Sequence, residues 1–254
     1  MQYSQATADC QPTRGIEVDD WRTRAARLLW PTTCVLCRGA GQDGLDLCAA
    51  CEADLPFNPI ACARCANPLA ADFAPVQLCG ACLQRPPHFH ASYAPLRYGY
   101  PVDHLIQGLK YRREATCGRV LGCLLARRLL LRLPDPPPQL IIPTPLSMRR
   151  YRERGFNQAS ELARPIQAVL GIPVRADLVV RARDTQEQTG LKQKERRSNI
   201  RGAFAMCKAL PARRVAILDD VITTGSTANE LAKVLRRAGA TRVEVWAVAR
   251  ATYS

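Results

Sequence analysis

The sequence contains no long apolar run and few aromatic side chains. Its most apolar stretch, residues 121–133, is interrupted by arginines, so it falls short of the roughly 20 apolar residues that a membrane helix needs. The first residues are polar and lack the charged-then-apolar order of a secretory leader. We therefore expect a cytoplasmic protein without membrane insertion. Aromatic residues make up only 6% of the chain, which argues against an extensive base-stacking surface.

Acidic residues are outnumbered by basic ones everywhere except in the first third of the chain. The net charge is +14, of which residues 1–90 contribute −2 and the remaining residues contribute +16. A basic body suits partners that carry phosphate, such as nucleic acid, nucleotides or sugar phosphates. The arginine-rich composition is equally compatible with a GC-rich genome, so charge alone does not decide the class of partner.

Cysteine is abundant and regularly spaced. Eight of the twelve cysteines form four CxxC pairs, which are Cys34/Cys37, Cys48/Cys51, Cys62/Cys65 and Cys79/Cys82. Two thiolates three positions apart can bind one metal from a single turn, and two such turns close a tetrahedral structural zinc site. The pairs therefore predict up to two structural Zn²⁺ ions. Sequential and cross-braced pairing of the turns both remain open.

Other uses of these cysteines fit the spacing less well. Structural disulfides are disfavoured in a reducing cytoplasm, and a redox CxxC usually occurs once, near a βαβ pattern. An iron–sulfur cluster remains an alternative. Because the short segments between the pairs cannot build a large core, we expect bound metal to supply the folding energy. The remaining cysteines lack ligand spacing and are interpreted as small apolar or surface residues: Cys10, Cys117, Cys123 and Cys207.

Composition and periodicity divide the chain into three parts. We predict an N-terminal arm (1–33), a zinc-binding module (34–85) and an α/β domain (91–254). Short apolar runs predict buried strands at 139–143, 214–218 and 243–249, and helical spacing predicts helices at 102–111, 116–133, 157–170 and 227–238. Alternating strands and helices indicate a parallel sheet with right-handed crossovers.

Three details of this domain are also predicted. We expect an arginine-rich loop after Pro145, an interruption of the 157–170 helix at Pro165, and either a functional flap or disorder at 183–199. The last expectation rests on a long polar stretch without apolar periodicity.

The segment VAILDDVITTGST (215–227) carries the clearest chemistry. An apolar strand is predicted to end at Leu218, and the loop from Asp219 to Ser226 then lies at the carboxyl end of the sheet, where ligands of such folds bind. Small residues at the start of the next helix offer a phosphate unpaired N–H groups and the positive end of the helix dipole. Adjacent carboxylates suit the vicinal hydroxyls of a ribose, a divalent metal, or both. A ribose 5-phosphate fits the whole motif.

Rival interpretations of the acidic pair lack their partner motifs. A P-loop ATPase needs GxxxxGK[ST], and the chain contains no Gly-Lys pair. A receiver domain needs acidic residues near its first strand and a late lysine, and neither is evident. A plain structural turn would leave the hydroxyl cluster unexplained.

In combination, these motifs resemble the ComF family, including its GntX-type proteins. The resemblance runs through ordered blocks, which are the CxxC pairs, LIQGLKYR (105–112), IIPTPLSMRRYRERGFNQA (141–159), RARDTQEQTGL (181–191), RRSNIRGAF (196–204), LDDVITTGST (218–227) and WAVAR (246–250). It implies a type I phosphoribosyltransferase-like parallel sheet flanked by helices, with an N-terminal Cys-rich zinc-ribbon-like module. The family is associated with DNA uptake in natural transformation.

The resemblance also implies a binding site for phosphoribosyl pyrophosphate (PRPP). Asp219 and Asp220 would hold the ribose hydroxyls, directly or through Mg²⁺. The 5′-phosphate would be held by Thr223, Thr224, Gly225, Ser226 and Thr227. The pyrophosphate loop would comprise Pro143, Thr144, Pro145 and Leu146, with Arg149, Arg150, Arg152 and Arg154 beyond it. The flexible loop would contribute Arg183, Thr185, Gln188 and Asn199. Ser147 departs from the family pattern, because a histidine is expected there.

Three functional hypotheses follow. The first is a PRPP- or nucleotide-responsive factor that binds incoming single-stranded DNA. The second is an active phosphoribosyltransferase that acts on a nucleobase or another small acceptor. The third assigns the zinc module to a protein partner such as a helicase.

Overall fold

The computed structural model describes residues 32–70, 77–183 and 200–252. The chain divides into two compact units, Met1–Asp54 and Leu55–Ser254. Within the described part of the chain, no helix is long and apolar enough to cross a membrane. The predicted division at residues 34, 85 and 91 remains a prediction.

The described part of the first unit, residues 32–54, contains one set of four cysteines and one short helix. Helix α1 (Ala49–Ala53) begins after Cys48, whose Sγ accepts a hydrogen bond from the Cys51 N–H at 3.4 Å. Isolated bridges join Thr33 to Ala40 and Gln42 to Leu45. Within residues 32–54 the large buried apolar side chains are those of Leu45 and Leu47, so we expect this part to depend on its cysteines for a fixed conformation.

The second unit is built on a parallel sheet. Its strands are β1 (Ala91–Tyr93), β2 (Leu96–Arg97), β3 (Leu140–Pro143), β6 (Arg214–Ile222) and β7 (Arg242–Arg250). The order is β1-β7-β6-β3, with β2 also pairing with β7, and every pairing is parallel. The predicted α/β class with a parallel sheet is therefore confirmed. A separate antiparallel hairpin consists of β4 (Val179–Arg181) and β5 (Phe204–Met206).

Helices cover both faces of the sheet. The helices described in this unit are α2 (Gly80–Gln84), α3 (Val102–Gln107), α4 (Ala115–Leu130), α5 (Met148–Arg154), α6 (Gln158–Leu170) and α7 (Ser226–Arg237). On one face, Leu231 and Leu235 of α7 join Val215 and Ile217 of β6 in the core. Alternate strand residues point to the opposite face, where α4 and α6 pack. Because helices cover both faces of the sheet, the carboxyl ends of β3 and β6 lie between two layers of helices.

Three details of the prediction are wrong. Strand β6 continues to Ile222 instead of ending at Leu218, because its pairing with β7 extends to Arg250. The expected arginine-rich loop contains helix α5, which Ser147 caps by accepting a hydrogen bond from the Arg150 N–H. Helix α6 is not interrupted, since Pro165 lies inside it.

Helices α4 and α6 approach closely at a glycine. A Cβ atom at Gly122 would lie 2.4 Å from Cγ of Pro165 and 3.0 Å from the carbonyl oxygen of Leu162. Because Gly122 has no side chain, Pro165 of α6 can pack directly against α4.

Gly122→Ala should destabilise the protein despite the better helix propensity of alanine. The added methyl group must displace α6, and overpacking of this kind costs about 1–3 kcal/mol. Urea unfolding would measure the change. Gly118→Ala is the matched control on the same helix, because its Cβ would mainly meet the movable end of Leu109. Equal midpoints for Gly122→Ala and the wild type would contradict this account.

Candidate functional site

The two adjacent aspartates lie inside strand β6, near its carboxyl end. Asp219 is paired with Ala247 of β7, and its Oδ1 accepts a hydrogen bond from the Asp220 N–H at 2.9 Å. Asp220 is only 4% exposed. Burial makes both charges costly unless a cation or hydrogen-bond donors compensate them.

Lys110 supplies that compensation. Its ammonium contacts Oδ2 of Asp220 in an ion pair. The lysine lies in a π-helical turn (Gly108–Arg112) that continues helix α3. Such turns are frequent at functional sites, and here the wider turn belongs to the segment that delivers a cation to the acidic pair.

The three charges shift one another's proton affinity. Burial, reinforced by the charge of Asp220, raises the pKa of Asp219. Burial alone would also raise the pKa of Asp220, but the Lys110 ammonium outweighs it and lowers that pKa. Burial opposes the charged form of Lys110, yet Asp220 keeps the lysine pKa above its usual value. One carboxylate is thus held charged by the lysine, while its neighbour binds a proton readily.

A short loop follows the acidic pair and leads into helix α7. Gly225 occupies the N-cap position with a φ of 73°, a left-handed conformation that favours glycine. The hydroxyls of Thr224 and Ser226 lie 2.8 Å apart, and the Ser226 N–H donates to Thr224 Oγ1 at 3.3 Å. The Ser226 amide, expected to be unpaired, therefore has a partner within the loop.

A second loop faces this one from the end of β3. The Thr144 N–H donates to the Leu218 carbonyl at 2.8 Å, which places the loop beside the acidic strand. The side-chain hydroxyl of Thr144 is buried and has no hydrogen-bond partner within the described residues. It lines a cleft that also contains Asp219 and Asp220. Asn157 Nδ2 donates to the Thr144 carbonyl at 3.0 Å and fixes the loop from the start of α6. A buried hydroxyl of this kind suits a bound oxyanion.

The arginines of α5 divide between the cleft and the surface. Arg150 and Arg154 line the cleft, and Arg154 also donates to Gln158 Oε1 at 3.1 Å. Arg149 instead pairs with Glu153 at 3.7 Å, and Arg152 does not line the cleft. Helical periodicity explains the division, because residues four apart share a face.

The structure gathers most of the predicted site residues in one cleft. Its lining includes Thr144, Pro145, Leu146, Arg150, Arg154, Asp219, Asp220, Thr223, Gly225, Ser226 and Thr227. Pro143 is the last residue of β3, and Thr224 lies in the loop between β6 and α7, just outside this lining. Arg183 is exposed and donates to the Arg201 carbonyl. Thr185, Gln188 and Asn199 lie outside the described residues.

Sequence reasoning missed three polar residues of the cleft: Lys110, Gln158 and Arg181. Lys110 is remote in sequence from the acidic pair, and neither its helical pattern nor the motif block 105–112 that contains it indicated a role for the lysine. Gln158 and Arg181 belong to the motif blocks 141–159 and 181–191, which were the available signal. Their side-chain directions depend on α6 and β4, which the motifs alone do not define.

Eight cysteines form two metal-type clusters, paired sequentially. Cys34, Cys37, Cys48 and Cys51 form the first cluster, and Cys62, Cys65, Cys79 and Cys82 form the second, with all Sγ atoms of a cluster within 4.8 Å. The Cys37–Cys48 and Cys65–Cys79 Sγ distances are 3.7 and 3.6 Å. Four sulfurs bound tetrahedrally at about 2.3 Å from zinc would be about 3.8 Å apart. Both clusters therefore fit structural zinc, and the open question of pairing is resolved.

Each cluster contains a cysteine that ionises readily. The Cys65 thiol, through its hydrogen bond, lowers the pKa of Cys62 to about 4. Burial opposes ionisation of Cys34, but backbone N–H groups led by that of Cys37 lower its pKa to about 6. Thiolates of this kind are the form that binds metal.

Comparison with known proteins agrees with this geometry. The double zinc ribbon domain family matches residues 25–83. "Competence protein F" of Haemophilus influenzae is 36% identical over 231 residues, 86% of this chain and 96% of that protein. "DNA utilization protein YhgH" of Escherichia coli is 34% identical over 230 residues, 87% of this chain and 97% of that protein.

More distant similarities were also found. "Competence protein ComFC" of Streptococcus pneumoniae is 31% identical over 106 residues, 42% of this chain and 46% of that protein. A purine phosphoribosyltransferase structure from Pyrococcus horikoshii aligns with a TM-score of 0.28 and 17% identity, covering 51% of this chain and 80% of that one.

Fold and site together define a parallel α/β protein with a phosphate-type loop and a double zinc ribbon. The relatives that match along most of their length define it further. The chain belongs to the ComF family.

Lys110→Met should destabilise the protein most at neutral pH. Without the ammonium, Asp220 becomes a buried charge beside Asp219, and removing one partner of a buried pair costs about 3 kcal/mol. In the wild type the pair stabilises above the unfolded pKa of aspartate, because the folded pKa of Asp220 is lowered. In the variant that pKa rises, so protonation relieves the cost as the pH falls.

Urea unfolding of both proteins at pH 7.5 and pH 5.5 measures this difference. The gap between variant and wild type should shrink at the lower pH. The double variant Lys110→Met/Asp220→Asn, which removes both charges, should recover most of the loss. A gap that is independent of pH would show that the lysine acts through packing alone.

Proposed function

We propose that this protein binds PRPP or a related ribose 5-phosphate compound with Mg²⁺ in the cleft at the ends of β3 and β6. The observation that supports this most is the acidic pair, with Asp220 buried and Asp219 half-buried, beside a phosphate-type loop and opposite the unpartnered Thr144 hydroxyl. We further propose that it binds single-stranded DNA and acts in DNA uptake. The names of its relatives, which refer to competence and DNA utilization, support this role.

Each part of the ligand has a chemically suitable partner. Asp220, which Lys110 holds ionised, is a pure acceptor for the ribose hydroxyls, and Asp219 offers its carboxyl oxygens beside it. The loop from Thr223 to Thr227 receives the 5′-phosphate at the N-terminus of α7. Arg150 and Arg154 lie on the Thr144 side of the cleft, where forked guanidinium groups suit diphosphate oxygens.

The same carboxylates fit a magnesium ion. Carboxylate oxygens are hard donors, and Mg²⁺ is usually held by one or two of them together with substrate phosphates. Asp219 and Asp220 would hold the ion, which neutralises diphosphate charge when bound. Lys110 already contacts Asp220, so we assign it to stabilise the ligand-free pair and to share Asp220 with the incoming cation.

The double variant Asp219→Asn/Asp220→Asn should lose PRPP binding and keep both zinc ions. Amides of the same shape retain the packing but no longer provide carboxylates for hydroxyls or Mg²⁺. Calorimetry with PRPP and Mg²⁺, together with metal analysis, measures both properties. Asp177→Asn, on an exposed carboxylate paired with Arg175 and Lys208, is the matched control. Unchanged PRPP affinity in the double variant would refute the assignment.

Single-stranded DNA should bind with a strong dependence on salt. The +14 net charge favours phosphate contacts, which release counterions and weaken as salt rises. Titration of a labelled oligonucleotide between about 50 and 200 mM salt should show a loss of at least tenfold. Repeating it with saturating PRPP shows whether the two ligands compete or cooperate. A flat salt response would contradict backbone-dominated binding.

A second candidate is phosphoribosyl transfer itself. Arg150 and Arg154 converge on the cleft where a leaving diphosphate would lie, which favours this alternative. Incubation with PRPP, Mg²⁺ and a panel of nucleobases tests it, because transfer must release diphosphate. Binding of PRPP without diphosphate release from any base would leave the ligand as a regulator.

The zinc module remains assigned to a protein partner such as a helicase, testable by pull-down after deletion of 34–85.

A further inference from the structure

The second cysteine cluster is joined to the α/β sheet by hydrogen bonds of its first loop, residues 62–66. The Ser92 N–H of β1 donates to the Ala63 carbonyl at 3.3 Å. The buried side chain of Asn58 donates to the Ala66 carbonyl at 2.9 Å and to the Ala94 carbonyl at 3.2 Å. Ala66 itself belongs to the hydrophobic core of the sheet. This loop is thus part of the domain that contains the cleft.

Arg250, the last residue of β7, extends this connection to residues 223–227, the proposed phosphate loop. Its guanidinium donates through Nε to the Cys65 carbonyl at 3.0 Å. Through Nη1 it donates to the Ile222 carbonyl at 2.9 Å and to the Thr223 carbonyl. Arg250 is only 9% exposed. One buried cation therefore joins a cysteine of the cluster to the residue that begins the phosphate loop.

A separate contact reaches the other end of the phosphate loop. The His88 N–H, in the segment that follows the second cluster, donates to Asn229 Oδ1 at 2.6 Å. Asn229 lies in the first turn of α7, and its own N–H donates to the Gly225 carbonyl. The loop is consequently contacted at its start by Arg250, which also binds the Cys65 carbonyl of the cluster, and the helix that follows it is contacted by the segment after the cluster.

We propose that the metal-bound second cluster positions the phosphate loop, and that Arg250 is the positioning residue that transmits this effect. Metal bonds to Cys65 Sγ fix the backbone carbonyl that Arg250 requires, because a small loop without its own core is ordered by its metal. A planar guanidinium with fixed donors then holds the carbonyls of Ile222 and Thr223 in register. Loop amides that are held in place before binding lose less freedom when phosphate arrives.

The proposal deepens the function proposed above and rests on it for the identity of the ligand. Arg250→Lys keeps the charge and removes the fork, so it should retain both zinc ions while its affinity for ribose 5-phosphate falls about tenfold. Cys82→Ser, which removes one ligand of the second cluster, should lower zinc content and weaken ribose 5-phosphate binding similarly. Calorimetry and metal analysis provide the two readouts.

Two matched variants serve as controls. Arg242→Lys changes an arginine at the other end of β7, and Cys207→Ser changes an exposed cysteine outside both clusters. Both should keep the affinity and the zinc content of the wild type. Wild-type affinity in Arg250→Lys would overturn the proposal, whatever the folding state of Cys82→Ser.

Hydrogen exchange at residues 223–227 tests the positioning without a ligand. Arg250→Lys and zinc-depleted Cys82→Ser should both exchange faster there than the wild type, while α4 remains protected. This measurement separates two failures. If the wild type does not bind ribose 5-phosphate, the proposed ligand is wrong, yet faster exchange still supports the connection. Unchanged exchange at 223–227 in both variants would overturn the connection itself.

Discussion

The contact between Lys110 and Asp220 is the constraint on which the site depends. Two neighbouring carboxylates near the end of a buried strand would repel each other and attract protons, and neither effect suits the sugar-phosphate binding that we propose for this site. One ammonium, delivered by a π-helical turn, keeps Asp220 charged in the absence of a ligand. The phosphate loop, the Thr144 loop and the α5 arginines can then be arranged around a carboxylate already in its binding form.

Sequence patterns predicted the architecture well because it depends on periodicity and on short signals. Apolar runs identified β3, β6 and β7, and the CxxC spacing identified all eight cluster cysteines. Local signals failed where tertiary contacts decide. The pairing of β7 carries β6 past Asp219 and Asp220, and the gap at Gly122 lets α6 continue through Pro165. Neither effect is visible in the segment that it alters.

The candidate site shows the same difference between signals that are local in sequence and contacts that only the fold creates. Residues of the DDVITTGST motif and of the turn at Thr144 could be located because their chemistry is contiguous in sequence. Lys110 could not, because its partner is far away in the chain and its own segment has an ordinary amphipathic pattern. Arg250 likewise ends an apolar strand, and only the fold shows that its guanidinium reaches the Cys65 carbonyl.

Sequential pairing of the cysteines has a consequence for biosynthesis. Each cluster draws its ligands from one continuous stretch, 34–51 or 62–82, so both can take up metal while the remainder of the chain is still being translated. Strand β7 is made last and carries Arg250. All eight cluster cysteines are therefore synthesised before the sheet can close, whereas the guanidinium that donates to the Ile222 and Thr223 carbonyls arrives only with β7.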